Sequence, residues 1–144
     1  MLNDLTAHIA NTSGLGAPAS KKALGIVLNA AERQDSPFAA AMFKAIPATR
    51  KLSTRTGKDA GAPTGEIARL IEQTPGGKLL VARDMITALQ DLGMDHKDIG
   101  GLLPSIATYM EDKHGLTGFG HLGDLIGSDL DAVEAAPKSD TRAA

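Results

Sequence analysis

Cysteine is absent from the 144 residues, which removes disulfides, thiolate metal sites and cysteine nucleophiles from consideration. Aromatic residues are nearly absent too: three Phe, one Tyr and no Trp. The interior must therefore be aliphatic, and functions that stack bases or sugars on aromatic platforms are disfavoured. There is no basic excess to draw in nucleic acid or an anionic membrane, since the net charge is −2. No apolar run approaches the roughly 20 residues that span a bilayer. The segment Met1 to His8 has neither the basic nor the apolar region of a leader. The cytoplasm is the expected compartment, with the periplasm open if a leader has been removed. What is present is ordinary for a globular chain: 42% hydrophobic and 22% charged residues, over a length suited to one domain.

The hydrophobic period is helical nearly throughout. Leu2, Leu5 and Ile9 share one face of a first helix that ends near Asn11–Gly14. Ser20 is a candidate N-cap for a second, with Leu24, Val27, Leu28 and Ala31 as its stripe. Ser36-Pro37 sets an N-cap and a first-turn proline for a third, with Phe38, Met42 and Ile46 inward and Pro47 as its stop. Thr64 is the next cap candidate, with Ile67, Leu70 and Ile71 behind it, and Thr74 to Gly77 breaks the chain again. The strongest pattern spans 78–114. Leu79, Met85 (or Ala82), Ile86, Leu89 and Leu92 form one face, closed by Gly93. Asp95 and Asp98 then form a capping-box pair ahead of Ile99, Leu102, Leu103, Ile106, Tyr109 and Met110. So short a link predicts an antiparallel helical hairpin. Pro104 lies within its second helix and predicts a kink. Phe119, Leu122, Ile126, Leu130 and Val133 keep helical steps beyond Gly115. The expected architecture is all-α: five to seven short helices around the 78–114 hairpin, one domain over 1–135, and a disordered tail at 136–144.

Residues 48–63 break the pattern. Leu52 is their only large aliphatic residue among many turn formers, and the stretch is expected to be a polar, basic loop. Arg50, Lys51, Arg55 and Lys58 within it are candidate partner contacts, suited to phosphates, headgroups or an acidic protein surface. Charge is also unevenly spread. Residues 1–75 hold nine Lys/Arg against six Asp/Glu (+3), and residues 76–144 hold six against eleven (−5). A second candidate is an apolar slot at Ile99, Gly100, Leu103 and Pro104, where small residues leave room for a lipid or a partner helix.

Catalytic patterns fail on context. Gly118 to Gly123 spells G-x-G-x-x-G, but it follows a helix where a dinucleotide site needs a strand. His8, His96, His114 and His121 include no metal-binding helical pair, so neither metal nor cofactor is expected. Ser105 lacks a nucleophile turn, and the adjacent carboxylates Glu111-Asp112 diverge on a helix. An enzyme is not expected.

The blocks Ala23 to Leu28, Phe38-Ala39 with Met42 and Ile46-Pro47, Leu89 to Met94, and Ile99, Pro104, Ile106, Tyr109 with Lys113 to Gly115 resemble the VcgC/VcgE family of small bacterial proteins. The resemblance covers roughly residues 2–126. It implies a compact α-helical fold and a bacterial source, and carries over no functional residues. Two departures stand out: many such proteins look exported, and the 48–63 segment is longer and more polar than the family's link. The reading that follows is a non-enzymatic binding or interaction protein. Its partner would be an unknown protein or a second copy, not nucleic acid. The alternative is a carrier of a small apolar, lipid-like ligand between helices.

Overall fold

The computed structural model describes residues 2–62 and 65–117. Among them are seven α-helices and no strand: α1 Leu2–Ser13, α2 Ala17–Arg33, α3 Pro37–Ala45, α4 Ala48–Asp59, α5 Glu66–Glu72, α6 Pro75–Asp91 and α7 His96–His114. The 119–133 stripe, the Gly118–Gly123 run, the 136–144 tail and the Thr64 cap candidate lie outside the described residues.

Local chemistry sets most of the helix ends. The Phe38 N–H donates to Ser36 Oγ at 3.2 Å to start α3, and the Gly77 N–H donates to Thr74 Oγ1 at 3.1 Å to start α6. The Asp95–Asp98 box is complete, with the Asp98 N–H donating to Asp95 Oδ1 at 2.8 Å and the Asp95 N–H to Asp98 Oδ2 at 3.5 Å. Gly93 (φ +97°) and Gly115 (φ +68°) close α6 and α7 in the left-handed region. Ser20 does not cap α2. That helix begins at Ala17 behind Gly16, because Pro18 occupies a first-turn position that needs no donor. Ser20 is left buried inside it, its Oγ without a hydrogen-bond partner among the described residues. Thr74 to Gly77 breaks the chain between α5 and α6 as expected, and does so by opening α6, with Thr74 as its cap and Pro75 to Gly77 in its first turn. α7 runs through Pro104 as one helix. Gly100, whose carbonyl loses its helical donor there, is solvent-exposed, so water can supply the missing bond.

α1, α2, α6 and α7 close a ring through α1–α2, α2–α6, α6–α7 and α7–α1 contacts. α1 and α7 run in opposite senses: the His8 ring lies 5.6 Å from that of Tyr109, and Thr12 Oγ1 lies 2.7 Å from Ser105 Oγ. α6 and α7 are joined by the short link expected from the sequence, but theirs is the slightest of these helix packings. The fold is organised around α2, which makes the broadest set of contacts, instead of around a 78–114 hairpin. Leu5, Ile9, Leu24, Leu28, Met42, Leu89, Leu102, Ile106 and Met110 fill an aliphatic core with almost no exposure.

The segment expected to be a loop at 48–63 is the main correction. Residues 48–59 are α4, and its packing on α2 is the most extensive helix pair in the fold. Its buried face is Thr49, Leu52, Ser53 and Gly57, too poor in aliphatic carbon to produce a hydrophobic period. Hydrogen bonds and close approach replace that signal. Ser53 Oγ donates to Glu32 Oε1 at 2.6 Å, Asn29 Nδ2 donates to the Ser53 carbonyl at 3.2 Å, and Thr49 Oγ1 donates to the Ile46 carbonyl at 2.5 Å. Gly25 and Gly57 let the two helices come together. A Cβ on Gly25 would stand 2.1 Å from Thr56 Oγ1, and one on Gly57 2.5 Å from Asn29 Nδ2.

Candidate functional site

With α4 helical, Arg50, Lys51, Arg55 and Lys58 occupy one outward face instead of a loop. Their positions fall within an arc of about 140° at 100° per residue, and all four are exposed. The Arg50 guanidinium sits 4.6 Å from the centroid of the buried Phe43 ring, a cation–π contact that holds one end of the row. Lys51, Arg55 and Lys58 make no ion pair among the described residues. Together with Thr54 and Asp59 the four cations line a shallow depression. A second depression shares Thr54 and Lys58 with it and is walled on its far side by Arg69 of α5. Lys58, at the last turn of α4, is thereby brought near the polar side of α5.

α5 holds the feature that sequence reasoning missed. Ile67, Leu70 and Ile71 sit at i, i+3 and i+4, the spacing of a core stripe, yet they are 75%, 63% and 60% exposed. Leu80 on α6 is 58% exposed. Aliphatic spacing was the only signal available, and it marks a face without saying what covers it. α5 docks by its opposite, polar face. Buried Glu72 accepts from Arg33 Nε at 2.9 Å and Nη2 at 2.6 Å, and from Arg69 Nη1 at 2.9 Å. Gln34 Nε2 donates to the Glu72 carbonyl at 2.7 Å, and Gln73 Nε2 to the Arg33 carbonyl at 3.3 Å. Gly77 of α6 lies directly against the α5 backbone.

The other sequence candidates do not converge on this surface. Ile99 and Leu103 are half-buried against the core, whereas Gly100 and Pro104 face solvent. A Cβ on Gly100 or Gly101 would meet nothing within 4 Å, and none of the depressions described on the surface is lined by these residues. Among the described residues no group of three His, Asp or Glu side chains is placed to hold a metal ion; His121 lies outside them. His8 Nε2 lies 3.0 Å from the carbonyl oxygen of Ser105, not from its hydroxyl.

Burial, with Asp4 adding a smaller electrostatic effect, raises the Tyr109 hydroxyl above the ordinary tyrosine value of 10.0. A raised native pKa means that the folded state holds its proton more tightly than the unfolded chain. Its contribution is fully present below pH 10 and is lost as pH rises through the native pKa. Tyr109 is the only tyrosine, so tyrosinate absorbance reads it alone. The expected titration midpoint of the folded protein lies above 10.0, and alkaline loss of stability should be shallower in Tyr109→Phe. A midpoint at or below the free value would contradict the burial described.

No protein-family model, no curated protein and no solved structure matches the chain. Among the described residues no helix is long and apolar enough to cross a membrane.

Proposed function

We propose that this chain is a non-enzymatic interaction protein whose contact surface is the corner formed by α4 and α5. The observation that carries the reading is the exposed aliphatic face of α5. The other aliphatic stripes of the described fold are largely buried, while Ile67, Leu70 and Ile71 project outward from a helix anchored by its polar side. A contiguous apolar surface of this kind on an otherwise polar exterior marks a binding site more often than chance exposure. The α4 cations Lys51, Arg55 and Lys58, which make no ion pair among the described residues, favour a protein partner that presents acidic as well as apolar side chains. The likeness to the VcgC/VcgE proteins, and with it a bacterial source, belongs to the same proposal. Support for it is the shared order of Leu-Gly and Ile-Pro punctuation.

A photoreactive residue placed at Leu70 in the source cell tests the reading. The expected result is a discrete intermolecular crosslinked species that a probe at exposed Thr87 does not give, and that the Arg55→Glu/Lys58→Glu variant loses while keeping its helical circular dichroism. Equal intermolecular crosslinking from positions 70 and 87 would overturn it.

A further inference from the structure

We propose that the crevice between α2 and α4 is a small-molecule site whose ligand is a zwitterion, with an ammonium and a carboxylate on one short chain. The inference goes beyond the partner surface and does not rest on the aliphatic face of α5. It is carried by a cavity of about 490 Å³ whose wall holds charge of both signs: Asn29 and Glu32 of α2, Thr54 and Lys58 of α4, and Arg69 of α5. That volume falls within the usual range of small-molecule pockets.

Two acceptors on α2 are held in place yet left with capacity. Asn29 and Glu32 stand at i and i+3, on the same side of the helix. Asn29 is 8% exposed and its Nδ2 donates to the Ser53 carbonyl at 3.2 Å, whereas its Oδ1 accepts no hydrogen bond among the described residues. Glu32 Oε1 accepts from Ser53 Oγ at 2.6 Å, whereas its Oε2 has no donor, and the carboxylate no ion pair, among the described residues. Both side chains are thus fixed by α4 before anything binds. Gly57 makes room for this arrangement, because a Cβ there would stand 2.5 Å from Asn29 Nδ2 and push the amide aside. Acceptors oriented in advance bind a donor without the ordering cost that a free surface side chain adds.

Lys58 lines the same cavity, exposed and without an ion pair among the described residues. Arg69 is already engaged by Glu72 but adds a second positive charge to the wall. Glu32 and Lys58 therefore share one cavity without neutralising each other. This pattern sorts ligands by charge. A simple anion is repelled by the Glu32 carboxylate, and a simple cation by Lys58 and Arg69. A zwitterion satisfies both ends: its ammonium donates to Glu32 Oε2 and Asn29 Oδ1, and its carboxylate accepts from Lys58. Such charge-assisted hydrogen bonds are about twice as strong as neutral ones.

Amide NMR of the full-length protein tests the assignment, with terminal amino acids of increasing chain length as probes, from glycine through aminobutyrate to aminohexanoate. One length should bind best and shift the amide signals of Asn29, Glu32, Gly57 and Lys58. The amine and the carboxylic acid of matching length, each lacking one charge, should bind about tenfold more weakly or worse. Glu32→Gln keeps an acceptor for Ser53 and should retain the helical circular dichroism, yet weaken binding about tenfold. Lys58→Gln should weaken it similarly from the other end. Arg83→Gln, an exposed change on α6 outside the cavity, should bind as the wild type does. No shift at these amides with any member of the series would overturn the proposal. So would equal binding of the single-charge analogues, or unchanged binding in Glu32→Gln. Failure of the outside-partner reading is seen separately, as equal intermolecular crosslinking from positions 70 and 87.

Discussion

Gly77→Ala is expected to destabilise the protein by about 2–3 kcal/mol, in the range of overpacking against an unyielding neighbour. Its neighbour Gly76→Ala should stabilise by up to about 1 kcal/mol. The two residues are adjacent in the first turn of one helix, so the difference isolates what each faces. A Cβ on Gly77 would lie 2.0 Å from the carbonyl oxygen of Ile71 and 2.7 Å from Glu72 Cα. Both are backbone atoms, and no rotamer change can withdraw them. One on Gly76 would meet nothing within 4 Å. Accommodation at 77 therefore requires α5 to move off α6, and the movement can be local. Hydrogen exchange across 66–72 should accelerate in Gly77→Ala even where the global transition, read by urea unfolding, shifts by less than the full amount. Matching behaviour of the two alanine variants in both measurements would contradict the close α5–α6 approach.

Helices that bury aliphatic carbon could be read from the chain, and helices that do not could not. α1, α2, α3, α6 and α7 each carry a stripe of Leu, Ile, Val or Met at steps of three and four, and each forms close to where that spacing places it. Ser36 and Asp95 act as the caps their side chains suggest. α4 stayed hidden because its packing face is hydroxyl and glycine. Gly57 reads as a turn former until Asn29 of another helix is known to press against it, and Thr49 and Ser53 read as loop residues until their acceptors are in place. The four basic positions were legible as a group, but their alignment on one face was not, because a face exists only once the helix does. α5 fails in the opposite direction. Its aliphatic spacing is indistinguishable from that of a core helix, and its actual anchor, Glu72, reads in sequence as one more surface carboxylate. The buried Arg33–Glu72 pair leaves no periodic trace, since its partners lie 39 residues apart.

Removing Glu72 is the second large effect expected. Its carboxylate is 9% exposed and takes Arg33, itself 13% exposed, through two nitrogens. Deleting one member of a buried pair strands the other charge, at a cost of about 3–5 kcal/mol in comparable cases. We expect Glu72→Ala to fall near the lower figure, because Arg69, the third member, is 31% exposed and can turn to water. Arg33→Ala/Glu72→Ala should cost clearly less than the two single changes summed, with a coupling above roughly 1 kcal/mol in a double-mutant cycle. A loss under about 0.5 kcal/mol, the size found for exposed pairs, would mean that the network does not hold α5. The consequence reaches the docking surface. A helix held by a charged, hydrogen-bonded face is free to leave its aliphatic side chains outside, whereas a helix held by Ile67, Leu70 and Ile71 would have hidden them. Without Glu72 those side chains lose the arrangement that keeps them outward, so crosslinking from position 70 should fall together with stability. In Gly76→Ala, where the α5 anchor is intact, both should be preserved.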